Sequence, residues 1–218
     1  MYAFSFCLYG PETPKYYGGM LENLRLIWTH FPEWKVFIYL GADVPAHYIA
    51  KLLKHSQVIL VHTRHTGSIL MMHRFLALDE EGVECMIVRD ADSRVHVRDR
   101  WAIHRFVASS QKAHAIRDHP YHNTHILGGL WGLKRGLLPS VGEFVRPYLD
   151  QPWGFGKDQE FLRDVLYPRL KQDLLVHTSQ SFRYSDEETH EAFPLAWTEA
   201  SYCGKAENLP GIFSFFRR

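Results

Sequence analysis

Cysteine, net charge of either sign and long apolar runs are all scarce in this 218-residue chain, and each scarcity removes a class of protein. The three cysteines, Cys7, Cys85 and Cys203, are odd in number and far apart, and two lie inside predicted strands, so they read as reduced core thiols. A formal charge of +1 leaves no global electrostatic footprint for nucleic acid, although 14 histidines raise it in mild acid. No apolar run approaches the length that spans a bilayer, so no transmembrane segment is expected. The N-terminus, Met-Tyr-Ala-Phe-Ser-Phe-Cys, lacks a basic region and flows into a first strand, which argues against a signal peptide. Internal repeats, low-complexity blocks and inter-domain linkers are missing. So are Gly-x-Gly-x-x-Gly after the first strand and Gly-x-x-x-x-Gly-Lys-Ser/Thr anywhere, which leaves a dinucleotide fold and a P-loop unsupported. What is present, 46% hydrophobic and 14% aromatic residues, is ample for the core of one globular domain.

Strand and helix patterns alternate. Residues Ala3 to Tyr9 read as a strand broken by Gly10-Pro11-Glu12-Thr13-Pro14. An amphipathic helix follows from Lys15 to Phe31, stopped before Pro32. Val36 to Leu40 is a second strand, Ala46 to Lys54 a helix with Pro45 at its start, and Val58 to Val61 a third strand. Ser68 can cap a helix from Ile69 to Leu78. Val83 to Val88 is a fourth strand, Val97 to Ser109 a helix, and Ala113 to Ile116 a strand. An apolar strand interrupted by glycines spans Ile126 to Lys134. Trp153-Gly154-Phe155-Gly156 forms a loop, Lys157 to Leu166 a helix, and Leu174 to Val176 a last short strand; an irregular tail is expected over 180–218. Such alternation implies right-handed crossovers and a mostly parallel sheet covered by helices on both faces, an α/β fold in a single domain. Ligands of such sheets bind beyond the carboxyl ends of the strands, where Gly10, Gly41, Thr63 and Asp90 fall.

The fourth strand ends in Arg89-Asp90-Ala91-Asp92-Ser93-Arg94. Residues two apart point the same way while the chain stays extended, so Asp90 and Asp92 can face one cavity. Hard oxygen ligands placed like that suit Mg²⁺ or Mn²⁺, which keeps open positions for phosphates.

That core, the opening Phe4-Ser5-Phe6-Cys7-Leu8-Tyr9-Gly10, the Met71-Met72-His73-Arg74-Phe75-Leu76 segment, Arg117-Asp118-His119-Pro120, Gly128-Gly129-Leu130-Trp131-Gly132, Lys157-Asp158-Gln159 and His177 together resemble the GT-A glycosyltransferases. More narrowly, they are similar to a small group of compact glycosyltransferase-like proteins that includes a capsid-glycosylating domain of large algal viruses. The resemblance runs to about Ser179; at position 73 the chain has His where that group is expected to carry Trp. It implies a GT-A, Rossmann-like sheet and transfer of a sugar from a nucleoside diphosphate sugar to an acceptor hydroxyl on a glycan or glycoprotein. It also implies a divalent metal, Mn²⁺ or Mg²⁺, on Asp90 and Asp92, with His177 as third ligand, although a lone His is as readily a surface or core residue. Arg74 and Arg89 would pair with phosphate or with the carboxylates. Asp158 would serve as acceptor base in an inverting enzyme or as the opposite-face group in a retaining one, although a helix-capping Asp looks the same. Asp118 would reach the sugar hydroxyls with His119 beside it, and Gly128 and Gly129 would line the same floor. The nucleobase, uracil in preference to guanine, would sit near Tyr9, Gly10 and Tyr17. A cytoplasmic location is expected, in the host if the chain is viral. The rivals are a haloacid-dehalogenase-type phosphatase, a nucleotidyltransferase and a non-catalytic nucleotide- or glycan-binding module.

Overall fold

A computed structural model describes residues 1–151, 154, 156–199 and 201–207. Eight strands form one sheet in the order β3-β2-β1-β4-β6-β5-β7-β8: β1 Tyr2–Leu8, β2 Lys35–Leu40, β3 Val58–His62, β4 Cys85–Arg89, β5 Ala113–Arg117, β6 Leu130–Lys134, β7 Leu174–Thr178 and β8 Thr189–Ala192. All pairings are parallel except those of β6, which runs against both β4 and β5. The α/β, mostly parallel expectation therefore holds.

Alternation along the strands sorts the core into two layers. Phe4, Phe6, Ile38, Leu40 and Ile87 point to one face and meet α1 (Gly19–His30), α2 (Ala46–Leu52) and α4 (Val97–Ala108). Ala3, Phe37, Met86, Val88 and Trp131 point to the other, under α3 (Leu70–His73), α5 (Gly142–Leu149), α6 (Lys157–Phe161) and α7 (Tyr167–Leu170). No helix among the described residues is long and apolar enough to cross a membrane.

Four departures from the sequence reading have identifiable causes. The helix expected over 69–78 is α only from Leu70 to His73 and tightens into 3₁₀ turns on both sides, burying Arg74, Phe75, Ala77 and Leu78 together. The strand expected from Ile126 begins only at Leu130, because Gly128 and Gly129 form a turn closed by Leu130 N donating to Leu127 O (3.0 Å). α5 went unread because Pro147 interrupts its pattern. Strand β8 lies in the stretch expected to be an irregular tail; it pairs with β7 at the sheet edge, and its half-exposed residues carry no apolar alternation. Trp153 and Phe155 of the expected loop, and the tail's end at 208–218, lie outside the described residues.

Candidate active site

The antiparallel course of β6 builds the centre of the site. In the β4–β6 ladder Arg89 pairs with Leu130, so the residue after β4, Asp90, meets the residue before β6, Gly129. A Cβ on Gly129 would fall 2.0 Å from Asp90 Oδ2, so this approach requires glycine. The Asp90 side chain is 44% exposed and opens on a cleft of about 390 Å³. Asp92 follows across a turn closed by Ser93 N donating to Asp90 O (3.4 Å), and its Oδ2 takes Lys15 Nζ at 3.0 Å. The loop is fastened from below by the buried Asn23 of α1, which donates to Ser93 O (2.8 Å) and accepts from Val95 N (3.1 Å).

Arg74 lies between two carboxylates at the back of the cleft. Only 2% exposed, it bonds Asp90 Oδ1 through Nη1 and reaches Asp158 Oδ2 through Nη2 at 3.3 Å, while Nε donates to Met71 O. Burial works against its charge, yet Asp90, the neighbouring Cys7 and Asp158 outweigh it and raise its pKa, so the guanidinium is permanently charged. Burial pushes the Cys7 thiol up to about 12. Asp158 sits in the first turn of α6 and packs against Gly128, where a Cβ would come within 2.7 Å of its Oδ2. With its amide oriented to donate to Ile126 O (3.2 Å), Gln159 accepts from Gly128 N (2.7 Å). Gly128 and Gly129 thus line the cleft by what they lack, and the Gly128 amide is already committed.

At the end of β1, Gly10 (φ +76°) gives its N–H to Asp43 Oδ2 (2.9 Å) and its carbonyl to the Tyr17 hydroxyl (2.7 Å). Tyr17 is buried against Tyr48 and offers no face to a base; it shapes the Gly10 turn instead. Tyr9 is half-buried beside Gly41, and Tyr16 is the exposed ring of this corner, with Lys15 over it at 4.9 Å.

Three further candidates lie away from the cleft. Arg89 is buried, paired with Asp99 Oδ1 (2.6 Å) and donating to Gly129 O (3.0 Å), so it braces the site without facing it. Asp118 is 0% exposed and its oxygens are taken by Arg98, Ser179 Oγ (2.6 Å) and Cys203 N (3.0 Å); it has no oxygen left for a sugar. His177 is likewise enclosed, within β7, edge-on to Trp101 and His114, and both ring nitrogens lack a hydrogen-bond partner among the described residues. Burial, and secondarily Arg105, lowers its pKa to about 3, so its 3.4 Å contact with Glu191 is not an ion pair. Inward alternation, which the sequence could not reveal, separates it from the acidic pair.

Among the described residues, only His96, Asp99 and Cys203 bring three His, Cys, Asp or Glu ligand atoms within 4.8 Å of one another. That trio is otherwise engaged: His96 caps α4, Asp99 holds Arg89, and burial drives the Cys203 thiol well up. Asp90 and Asp92 fit a divalent ion better. They are hard oxygen donors, Asp90 is open to the cleft, and the missing Gly129 side chain is what lets the Asp90 carboxylate take this position.

No protein-family model matches the chain and no curated protein matches it in sequence. Solved structures do share its fold. A mannosyltransferase from Pyrobaculum calidifontis in complex with GDP-Man and Mn²⁺ matches with a TM-score of 0.54 and 16% identity over 88% of this chain, which spans 57% of that one. A glycosyltransferase involved in glycosylation of the major capsid of PBCV-1 matches with 0.54 and 15%, over 81% of both chains. A 4-diphosphocytidyl-2C-methyl-D-erythritol synthase from Anaerococcus prevotii matches with 0.55 and 10%, over 85% and 90%. The chain thus has the GT-A-like fold of these glycosyltransferases, as its sequence resemblance implied.

Proposed function

We propose that the chain transfers a glycosyl group from a nucleoside diphosphate sugar, a UDP-sugar in preference, to an acceptor hydroxyl on a glycan or glycoprotein. The observation that carries this reading is Arg74, fixed between Asp90 and Asp158 at the carboxyl end of β4 and facing the cleft. A diphosphate leaving group develops charge as the glycosidic bond breaks, and preorganised cations aimed at that charge lower the barrier. Arg74 is one, and Lys15, paired with Asp92, would be a second. Asp90 and Asp92 would hold Mn²⁺ or Mg²⁺, which when bound neutralises the two phosphates and fixes their orientation. Asp158 would take the acceptor proton or shield the sugar's opposite face, with its tether to Arg74 holding the carboxylate in place. The nucleotide would lie over the β1 end, at Tyr9, Gly10 and Tyr16.

The fold likeness to a cytidylyl-type synthase supports a second reading, nucleotidyl transfer, against which stands the short Gly10–Pro14 turn with no basic glycine-rich loop. Calorimetric titration with UDP, GDP and CTP, each with manganese and with chelator, separates the two: diphosphate binding that needs the metal supports the donor site, and preference for the triphosphate supports the rival. Asp90→Asn with Asp92→Asn should remove metal-dependent nucleotide binding while circular dichroism stays native. Unchanged manganese-dependent affinity in that variant would sink the assignment.

A further inference from the structure

Part of the cleft lining is aromatic. Tyr121, on the turn after β5, is 80% exposed and lines the cleft together with His122 and Tyr202. The two tyrosines share one support. The buried His119 ring stacks on Tyr202 (centroids 4.0 Å, 26° between planes) and meets Tyr121 at 4.8 Å, and Trp197 braces His119 edge-on at 4.5 Å.

Tyr202 comes from the segment 201–207, which crosses the sheet end and is pinned at several points. Cys203 N donates to Asp118 Oδ2 (3.0 Å), the Tyr202 carbonyl meets His96 Nε2 (3.3 Å), Ala206 bridges to Ser93, and Glu207 N donates to Asp92 O (2.8 Å). Gly204 (φ +76°) lies against Leu130, where a Cβ would come within 2.7 Å of the side chain, so the crossing is close-packed. Asp118, which has no free oxygen for a ligand, is therefore an anchor for this wall.

We infer that the Tyr121–Tyr202 wall is the acceptor platform and that the acceptor is a pyranose ring, not a serine or threonine side chain. This rests on the glycosyltransferase reading and names the acceptor for it. The cleft lining joins two chemistries, the rings of Tyr121 and Tyr202 and the carboxylate and amide of Asp158 and Gln159. A pyranose answers both, with an apolar patch of C–H bonds that packs on the electron-rich face of an aromatic ring and a rim of hydroxyls that bonds carboxylate and amide. An isolated hydroxyl-bearing side chain has no such patch. Sheet order gives the direction: β1, β4 and β5 are parallel and present their carboxyl ends on one edge, with the acidic pair of β4 between the β1 corner and the β5 turn that carries Tyr121. A nucleotide at β1 leaves the β5 side for the acceptor.

Saturation-transfer NMR with methyl glucopyranosides, mannopyranosides and galactopyranosides of both anomeric forms tests this, with N-acetylserine amide as comparison and UDP and GDP titrated on the same samples with manganese. At least one pyranoside should take up saturation most strongly on the protons of one ring face, and the serine derivative none. Tyr121→Ala, at an exposed position where near-UV circular dichroism should stay native, should weaken that binding about fivefold to tenfold while nucleotide affinity stays within about twofold. No pyranoside contact in the parent chain, or contact unchanged by Tyr121→Ala, overturns the platform. Loss of nucleotide affinity in Tyr121→Ala overturns it by giving the wall to the base. Pyranoside contact without any nucleotide binding removes the transferase reading and the acceptor role with it, whereas nucleotide binding without pyranoside contact removes the platform alone.

Discussion

Gly129 shows how one absent side chain sets the chemistry of the cleft. Asp90 Oδ2 occupies the space a methyl group would fill, so Gly129→Ala must push the carboxylate away from its position or shift the start of β6. A misplaced ligand weakens a divalent site far more than it weakens the fold. Manganese-dependent nucleotide affinity should fall at least about tenfold, a loss of about 1.4 kcal/mol, with native circular dichroism. Gly154→Ala is the matched control, because nothing lies within 4 Å of the added Cβ there. Equal affinity in the two variants would show that Asp90 does not need its present place. Arg74 illustrates the opposite case, a large group that cannot be trimmed. It is buried between two carboxylates, so Arg74→Met would leave Asp158 enclosed without a partner and should weaken nucleotide binding and stability together.

At the scale of elements, β4 and α4 are joined by the buried Arg89–Asp99 pair, and Asp99 also accepts from His96 N (3.2 Å) in the capping box that opens α4. Removing one member of a buried pair strands the other. Asp99→Ala should therefore destabilise by about 3–5 kcal/mol, read as a fall in urea midpoint. Arg89→Met combined with Asp99→Leu should recover most of that loss, and failure to recover would put the energy in the cap. This pair also marks where the sequence stopped being readable. That Asp90 opens on the cleft was legible because its position is local, at the end of an apolar run, whereas the turn closed by Ser93 N on Asp90 O leaves Asp92 off the cleft lining and paired with Lys15. The parallel strands before it were legible for the same reason, since each apolar stretch is contiguous. Arg89, Asp118 and His177 were misread because an arginine, an aspartate or a histidine looks the same in sequence whether it faces a ligand or a buried partner brought in from elsewhere, here α4, Arg98 and Trp101. Asn23, Lys15 and Tyr202 were missed for the converse reason, because their contacts span long stretches of chain, and β8 because an exposed edge strand has no apolar pattern to show.

The molecule as a whole carries an unusual load of neutral imidazole in its interior. Burial lowers His177 to about 3 and His73 and His122 to about 4, and it holds His114 well below its ordinary 6.5, helped there by His177, Arg89 and Lys134. Each folded pKa lies below the unfolded one, so as pH falls through 6.5 the unfolded chain binds protons that the folded chain refuses. Stability is then full above about pH 6.5 and drains as the solution is acidified, by about 1.4 kcal/mol per pH unit for each such group. The two fully enclosed rings, His114 and His177, account for about 3 kcal/mol per unit between them. Glu188, held near 2 by Arg117, His190 and Tyr167 against the cost of its burial, adds a loss of the same sign only below its ordinary 4.5. Against a typical domain stability of about 5–15 kcal/mol, the histidines alone should bring acid unfolding within reach between about pH 5 and 4. The urea midpoint should therefore fall from pH 7.5 to 5.5, before any carboxylate titrates. His114 lies flat on Phe106 at 5.0 Å, and among the described residues neither His114 nor His177 has a partner for its ring nitrogens, so phenylalanine at both positions removes four unsatisfied polar atoms at nearly constant shape. The His114→Phe, His177→Phe variant should be at least as stable at pH 7.5 and should lose less on acidification. If its midpoint falls as steeply as that of the parent chain, the acid sensitivity belongs to His73 and His122 and not to the pair inside the sheet.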